Sequence, residues 1–336
     1  MQTQHPKTLT SKNIDQLLPY FKQYGDSCMA YSGLQEGLEY FFVEGIGYIS
    51  YLPYKHLLFA PKGRAIVLAN PICAKENYRS LLQQFINAKP SAQFIQISRE
   101  IAVILDQLGY TVNQFGIETN MAIQRYDLKG KTKSSLRQWR NKCHREKVEI
   151  KELDLSQCND IAEIKSLSKS WLKSKGNKSL YFLNRPFLYQ HETDTRCFVA
   201  RQHGKLIGIT VFDPLYRAGK VIGYYHNIDR IAENAPHGVS PFLVLEAMDV
   251  FRQEKVETLS LGMSPLYQLG AEFNYNKISR KVLRFSYKNM NFLYPLQGNA
   301  NHKRKFAGEQ QRVYFCSIKG NNLWEIFILM KAIGIY

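Results

Sequence analysis

The sequence lacks long apolar runs. No window approaches the roughly 20 consecutive apolar residues that a membrane-spanning helix needs. The first 16 residues, MQTQHPKTLTSKNIDQ, also lack the apolar stretch of a secretory signal. Both absences favour a cytoplasmic protein, including one that is peripheral to the inner face of the membrane.

Paired cysteines are absent as well. The six cysteines are scattered, with no C-x-x-C pair and no metal-type spacing to histidine. This distribution argues against a disulfide framework and is typical of a reduced, intracellular chain. We therefore expect structural thiols, no bound metal and no resident cofactor. The cysteines are Cys28, Cys73, Cys143, Cys158, Cys197 and Cys316.

Acidic residues are too few to balance the basic ones. The chain has 45 Lys and Arg against 28 Asp and Glu, a net charge of +17. The excess lies in residues 126–336, which hold 34 of the basic and 19 of the acidic residues. We expect a polyanionic partner to bind this second half. Three kinds of partner fit the charge, namely tRNA, an anionic lipid and a phosphorylated cofactor.

The length of 336 residues suits two domains, and both halves show a similar order of elements. Each has several strands, a crossover helix, a further strand, a helix and a final strand. We predict an α/β (α+β) fold of two tandem lobes, each a mixed, mostly antiparallel sheet flanked by helices. The predicted parts are an N-terminal lobe at 1–126, a basic linker helix at 127–151, a C-terminal lobe at 152–320 and an apolar tail at 321–336. Among the individual elements, we predict strands at residues 27–33 and 282–287 and a helix at residues 156–173.

The stretch from Val221 to Leu266 predicts a strand, a loop, a helix and a second strand. We predict Ser240 as the N-cap of this helix and Pro241 as its first residue. The helix N-terminus carries unpaired N–H groups and a partial positive charge, so it suits a phosphate or a developing oxyanion. We expect it to face the same cleft as the polar cluster that ends the first strand. That cluster is His226, Asn227, Asp229 and Arg230.

A basic segment, residues 128–151, lies between the two predicted lobes and carries nine Lys or Arg and two Glu. Leu136, Trp139 and Cys143 recur at helical spacing, so we expect one face to pack on protein and the other to stay basic. A solvated linker helix and a contact with phosphates both fit this pattern. Trp139 and His144 favour the second interpretation. The tRNA-binding candidates are Lys133, Arg137, Arg140 and Arg145.

The tail NNLWEIFILMKAIGIY is strongly apolar but too short to cross a bilayer as a helix. We expect it to dock on the second lobe. Insertion into a membrane interface is the alternative.

Three segments carry ordered motifs. Residues 127–150 contain an L-x-G-K turn before L-R-x-x-x-N, the block that begins at HNIDR ends in LGMSPL, and residues 293–317 contain HKRKF. Together they resemble the C-terminal catalytic domain of the phosphatidylglycerol lysyltransferases, from about Gly25 to Ser317. In that family the domain is a pair of fused acetyltransferase-like lobes, so the resemblance implies such lobes here, with the catalytic site in the second.

The resemblance also implies a transferase that moves an aminoacyl group from aminoacyl-tRNA to a lipid or other small acceptor. Attack on the ester passes through a tetrahedral oxyanion while the ribose oxygen leaves. Arg230 can stabilise that charge or hold a phosphate. His226 or Asp229 can assist proton transfer, whereas Asn227 can only orient or hydrogen-bond. The substrate-binding candidates are Gly238, Ser240, Met263, Ser264, Lys303 and Lys305.

One position departs from the family pattern. The family's Asp-Leu-Met-Arg matches residues 227–230, so Asn227 replaces the first carboxylate, and Asp229 is expected on the opposite side of the strand. Structural roles also fit these residues. His226 can be a hydrogen-bonded residue at a strand end, and Arg230 can pair with Asp229 or Glu233.

Two other functions stay open. A CoA-dependent N-acyltransferase fits the type of lobe, but such enzymes hold the pyrophosphate on R/Q-x-x-G-x-G/A, and the chain has ENAPHGVS with one glycine there. A non-catalytic tRNA- or membrane-binding module fits the Asp-to-Asn difference. No G-x-S-x-G elbow surrounds Ser264, so it is assigned no nucleophilic role.

Overall fold

The strands and helices are taken from a computed structural model, which describes residues 6–174, 185–273, 275–289, 296–318, 322–332 and 334. Residues 321, 333, 335 and 336 of the apolar tail lie outside the described part. The strands are β1 (Lys7–Thr10), β2 (Glu39–Val43), β3 (Gly47–His56), β4 (Ala60–Leu68), β5 (Ile72–Cys73), β6 (Gln93–Ile97), β7 (Thr111–Ala122), β8 (Val148–Leu153), β9 (Arg196–Gln202), β10 (Lys205–Arg217), β11 (Lys220–Ile231), β12 (Thr258–Pro265) and β13 (Glu309–Ser317).

The described α-helices cover both faces of these strands, and several carry an apolar stripe that faces the sheet. They are α1 (Ile14–Tyr24), α2 (Tyr78–Ala88), α3 (Arg99–Gln107), α4 (Ser134–Arg145), α5 (Ile161–Ser174), α6 (Val239–Gln253), α7 (Lys277–Asn289), α8 (Leu296–Arg304) and α9 (Asn322–Ala332). Among the described residues no helix is both long and apolar enough to cross a bilayer.

All thirteen described strands belong to one sheet, in the order β1-β2-β3-β4-β6-β13-β7-β12-β11-β10-β9-β8, with β5 paired to β3. Most neighbours are antiparallel, and β4 with β6 and β11 with β12 are the parallel pairs. The predicted fold class, a mixed and mostly antiparallel sheet flanked by helices, is confirmed.

The last strand joins the two halves of the chain. β13 pairs with both β6 and β7, and β7 pairs in turn with β12 of the second half. The sheet therefore runs without interruption through residues that we assigned to different lobes. The boundaries predicted for the lobes remain a prediction.

Three predicted segments differ from the structure. Residues 27–33, predicted as a strand, form turns and a short 3-10 helix. Residues 282–287, predicted as a strand, lie inside α7, where Ser279 and Leu283 face inward one helical turn apart. The predicted helix 156–173 begins later, at Ile161.

The apolar tail forms α9, which packs on the first half of the chain and also against α7 of the predicted second lobe. Ile326 and Leu329 belong to the core cluster that contains Ile66 and Ile95. Glu325 accepts hydrogen bonds from Arg64 and Gln93. The tail thus contacts the second lobe through α7, as predicted, but it also packs on the first half, because β13 ends beside β6 and delivers the tail there.

β11 and β12 open the sheet. They pair only where Gly223–Tyr225 lie beside Thr258–Ser260. Both strands then continue, β11 to Ile231 and β12 to Pro265, without pairing to each other. α8 packs against β12 beside this opening. We call the opening the β11–β12 cleft.

Candidate functional site

α8 carries two polar side chains to the β11–β12 cleft. Lys303 donates a hydrogen bond from Nζ to the backbone oxygen of Met263 at 2.7 Å. The preceding residue, His302, packs against Phe306 and lies close enough to Asp229 of β11 to interact with it electrostatically. The predicted candidates Lys303 and Met263 are therefore in contact, and Met263 contributes its carbonyl group.

The start of α6 meets the cleft through a carboxylate. Ser240 Oγ donates a hydrogen bond to Asp229 Oδ2 at 2.6 Å. The N-cap is Gly238, not Ser240, which lies in the first helical turn. Glycine is required at this cap, since Gly238 has a φ of 107° and a Cβ there would lie 2.5 Å from Trp139 Cβ. Ser240 thus holds Asp229 next to the positive end of the helix.

Burial sets the charges in the cleft. It lowers the pKa of His226 to about 3, with a smaller effect from Lys303, and lowers that of His302 to about 4 against the influence of Asp229. It raises the pKa of Asp229 and lowers that of Lys303 to about 8. Both imidazoles are therefore neutral at pH 7, and the Lys303 ammonium loses its proton at a lower pH than an exposed lysine does.

Three enclosed polar atoms in the cleft have no hydrogen-bond partner within the described parts of the chain. They are His226 Nε2, His302 Nε2 and Asp229 Oδ1. Buried polar atoms are normally paired, so such a group points to a bound molecule that supplies the partners. A polar substrate with both donors and acceptors fits this arrangement.

A second polar cluster lies next to Lys303. Glu118 of β7 accepts hydrogen bonds from Cys28 Sγ and from Ser260 Oγ, and Ser260 in turn accepts one from the Gly262 amide. Burial raises the pKa of Cys28 well above its usual range, so this thiol stays protonated. The cluster brings a negative charge close to the Lys303 ammonium.

A bulge in β11 divides the predicted polar cluster between two faces of the sheet. The pairing with β10 shifts between Val211 and Phe212, so the register of the two strands skips Asn227. His226 and Asp229 face α6, where His226 contacts Phe212. In a regular strand residues two apart share a face, and the bulge is what puts Asn227 on the side opposite to Asp229.

Asn227 belongs to a buried ion cluster that the sequence did not indicate. Its Nδ2 donates to Asp213 Oδ2 at 2.7 Å. Arg185 donates to both oxygens of Asp213 through Nε and Nη2, and to both oxygens of Glu192 through Nη1. Its guanidinium also lies 4.7 Å from the ring centre of Tyr31. A cavity of about 340 Å³ lies beside this cluster, at the junction of the two halves.

Arg230 lies on the same face as Asn227, in an aromatic environment. Its Nη1 donates to Tyr189 Oη at 2.8 Å, and its guanidinium lies within 6.0 Å of the ring centres of Trp171, Phe187 and Tyr189. The alternative of an ion pair with Asp229 is wrong because Asp229 points to the other face and bonds Ser240.

The basic linker helix packs as predicted. Leu136 and Cys143 are buried, and Trp139 contacts His237 while Lys305 lies 4.2 Å above its ring. Lys305 therefore lies beside the start of α6.

The predicted candidate Ser264 is buried in β12, where this strand pairs with β7.

Three of the four predicted tRNA-binding residues hold partners within the chain. Lys133 donates to Asp127 O, Arg137 to two backbone oxygens, and Arg140 to Asp249. Arg145 is exposed. The segments that adjoin the two ends of α4 carry further exposed cations, which were not among the predicted tRNA-binding residues. They are Lys129, Lys131 and Lys147.

Among the described residues no group of three or more His, Cys, Asp or Glu could hold a metal ion. All six cysteines are unpaired thiols, and all but Cys158 are buried.

The family model for the C-terminal domain of phosphatidylglycerol lysyltransferase matches residues 19–317. Phosphatidylglycerol lysyltransferase of Bacillus subtilis (strain 168) is 25% identical over 282 residues, and an uncharacterized protein of Corynebacterium glutamicum is 24% identical over 284 residues. Each alignment covers 81% of this chain but 32% and 35% of those proteins, so the chain spans about a third of their length.

Two solved structures share the fold. The C-terminal (DUF2156) domain of a protein described as a lysylphosphatidylglycerol synthetase from Agrobacterium fabrum matches with a TM-score of 0.77 at 21% identity, covering 97% of this chain and 98% of that one. L-PGS from Bacillus licheniformis matches with a TM-score of 0.78 at 18% identity, covering 96% and 97%. With the family model matched over most of its length, the chain belongs to the family of phosphatidylglycerol lysyltransferase C-terminal domains.

Proposed function

We propose that the chain is a transferase that moves an aminoacyl group from aminoacyl-tRNA to a hydroxyl group of a lipid acceptor. The observation that carries this proposal is the β11–β12 cleft, which holds Asp229 at the start of α6, His302 close to Asp229, and Lys303 on the Met263 carbonyl. The enclosed polar atoms there supply what an acyl transfer needs, a proton acceptor and a cation near a developing oxyanion.

The proposed step conserves atoms and charge. The acceptor oxygen attacks the ester carbonyl carbon, the bond from that carbon to the ribose oxygen breaks, and the acceptor's proton ends on the ribose oxygen. Asp229 suits the proton acceptor because burial raises its pKa, which makes the carboxylate a stronger base. The Lys303 ammonium suits the stabilisation of the tetrahedral oxyanion. Ser240 holds Asp229 in place.

Arg230 is proposed to bind a phosphate on the other face of β11. One guanidinium nitrogen is engaged by Tyr189, and the planar group retains further N–H donors suited to a phosphate. For the tRNA we propose the exposed cations beside α4, with Arg145 as the one that the sequence selected. The full set is Lys129, Lys131, Arg145 and Lys147.

The start of α6 supports an aminoacyl donor over a CoA thioester. A CoA pyrophosphate would bind at the first-turn amides, but the Asp229 carboxylate lies beside that turn, where it accepts a hydrogen bond from the Ser240 hydroxyl. A carboxylate next to a pyrophosphate is repulsive. We further propose that the protein acts in the cytoplasm, at the inner face of the membrane, without a metal or a resident cofactor.

The test is a transfer assay with purified protein, lysyl-tRNA labelled in the amino acid, and phosphatidylglycerol vesicles, followed by extraction of the lipid. We expect labelled lipid, and we expect Asp229→Asn to lower the rate at least about 100-fold because the proton acceptor is lost. Asp15→Asn, which changes an exposed carboxylate on α1, is the matched control.

Absence of transfer from any charged tRNA in a complete mixture, together with turnover of a CoA thioester, would replace the proposal by CoA-dependent acylation. Binding of tRNA or vesicles without any turnover would favour a non-catalytic module.

A further inference from the structure

Helix α7 has an exposed apolar stripe bordered by cations. Ile278, Val282 and Phe285 are 62%, 40% and 63% exposed, and their spacing of four and three residues puts them on one face of the helix. The helix has five basic residues and no acidic one. The basic residues are Lys277, Arg280, Lys281, Arg284 and Lys288.

A different face of α7 holds the helix to the protein. Ser279 and Leu283 are buried, Arg284 donates to the Leu269 carbonyl, and the helix packs against α8 and α9. The exposed stripe is therefore not needed for attachment. Exposed Ile, Val and Phe side chains forgo the free energy that removing apolar surface from water would provide. Such a stripe therefore indicates a surface that binds a partner.

The neighbouring elements continue this surface. α9, which packs on α7, places Trp324 against Phe59 of the β3–β4 turn, where Leu57 and Leu58 are 86% and 73% exposed. The one acidic residue of α9, Glu325, is buried and pairs with Arg64. Exposed Lys55 and Lys62 flank the turn. We call α7, the exposed side of α9 and this turn the apolar-basic surface.

We propose that the apolar-basic surface docks the protein on an anionic lipid bilayer, with Ile278, Val282 and Phe285 inserted at the interface and the α7 cations among the lipid phosphates. A basic helix with aliphatic and aromatic side chains along one exposed face is the pattern of interfacial helices. Nucleic acid would use the cations but would leave the apolar stripe in water, and the absence of acidic residues on α7 matches an anionic partner.

The position of this surface relative to the cleft supports the choice of partner. α7 packs on α8, which brings His302 and Lys303 to the β11–β12 cleft. Strand directions place the β3–β4 turn at the same edge of the sheet as the ends of β11 and β12. The inference rests on the proposed function for its lipid acceptor, and docking through this surface would bring the bilayer towards the site.

The experiment measures co-sedimentation of the full chain with vesicles of equal parts phosphatidylglycerol and phosphatidylcholine, without any tRNA. A basic residue near an anionic surface strengthens binding about fivefold, so Lys277→Gln, Lys281→Gln and Lys288→Gln together should weaken it about 100-fold. Ile278→Ser, Val282→Ser and Phe285→Ser together should weaken it at least about tenfold. Vesicles of phosphatidylcholine alone should bind the unchanged protein far more weakly.

The matched control removes three exposed lysines elsewhere, with the same change of charge. It is the triple variant Lys151→Gln, Lys220→Gln and Lys255→Gln. Equal loss in this control, or unchanged vesicle binding by both α7 variants, refutes docking through α7. Loss of tRNA binding by the α7 lysine variant with vesicle binding intact assigns the surface to nucleic acid and also refutes it.

Transfer to a short-chain, water-soluble phosphatidylglycerol separates this inference from the proposed function. If the α7 variants transfer to the soluble acceptor at the normal rate but fail on vesicles, docking is supported. If the unchanged protein docks but transfers to neither acceptor, the proposed function fails and the docking inference stands.

Discussion

Replacing Lys303 with Met should stabilise the protein at neutral pH even though it removes a hydrogen bond. Burial lowers the pKa of Lys303 from 10.5 to about 8, and a shift of that size corresponds to about 3 kcal/mol between the folded and unfolded chains. The residue keeps some solvent contact, which reduces this to about 2 kcal/mol. Loss of the bond to the Met263 carbonyl costs about 1 kcal/mol. The variant should therefore be about 1 kcal/mol more stable at pH 7.

The pH dependence distinguishes this effect from a simple packing gain. Above pH 8 the folded chain has released the Lys303 proton and the unfolded chain still holds it, so the stability of the unchanged protein rises with pH up to about 10.5. The advantage of Lys303→Met should fall above pH 8 by about 1.4 kcal/mol per pH unit and should reverse near pH 9. Urea unfolding at pH 7 and pH 9.5 measures it, with exposed Lys220→Met as a control that shows no such slope. A variant that is less stable by the same amount at both values would refute the desolvated cation.

Three further predictions follow from named contacts. Asn227→Asp would put a second carboxylate against Asp213 and should lower the free energy of unfolding by about 1–3 kcal/mol; thermal unfolding of the variant and the unchanged protein tests it. Arg230→Ala should abolish transfer while the far-ultraviolet circular dichroism stays unchanged, and near-normal turnover would remove Arg230 from the site. Charge reversal of the exposed cations near α4 should weaken tRNA binding and flatten its salt dependence more than Arg137→Glu does, when both variants are folded. If the variants bind tRNA with equal affinity, that surface has no role in tRNA binding. These cations are Lys129, Lys131, Arg145 and Lys147.

Local patterns predicted the fold class and the packing of the linker helix because both depend on the spacing of apolar residues. The same reasoning assigned residues 282–287 to a strand. A short run with Val, Leu and Phe fits both the two-residue period of a strand and the 3.6-residue period of a helix until the burial of each side chain is known. It also gave Ser240 the cap, since the preference for serine at that position does not register the close approach of Gly238 to Trp139.

The sequence motifs also selected some of the polar residues of the candidate site, but not those whose partners lie far away in the chain. Asp229, Ser240 and Lys303 were selected from two motifs, and His302 adjoins one of them, so the KRKF segment was a signal that could have extended to it. Arg185 was missed because its partner Asp213 lies 28 residues away, and no spacing rule connects them. The division of β11 into two faces depends on a bulge, which changes the alternation of side chains without changing the composition of the strand.

The insertion of β13 between β6 and β7 also affects how the chain is made. During synthesis both β6 and β7 leave the ribosome more than 180 residues before Glu309 begins the strand that separates them. Until then both present unpaired edges, the kind of surface that recruits other strands and leads to aggregation. A nascent chain that stalls or is cleaved before β13 would therefore lose the closure of the first half as well as the end of the second. The sheet is completed only when β13 pairs with β6 and β7, so the domain becomes stable only after this strand has been translated.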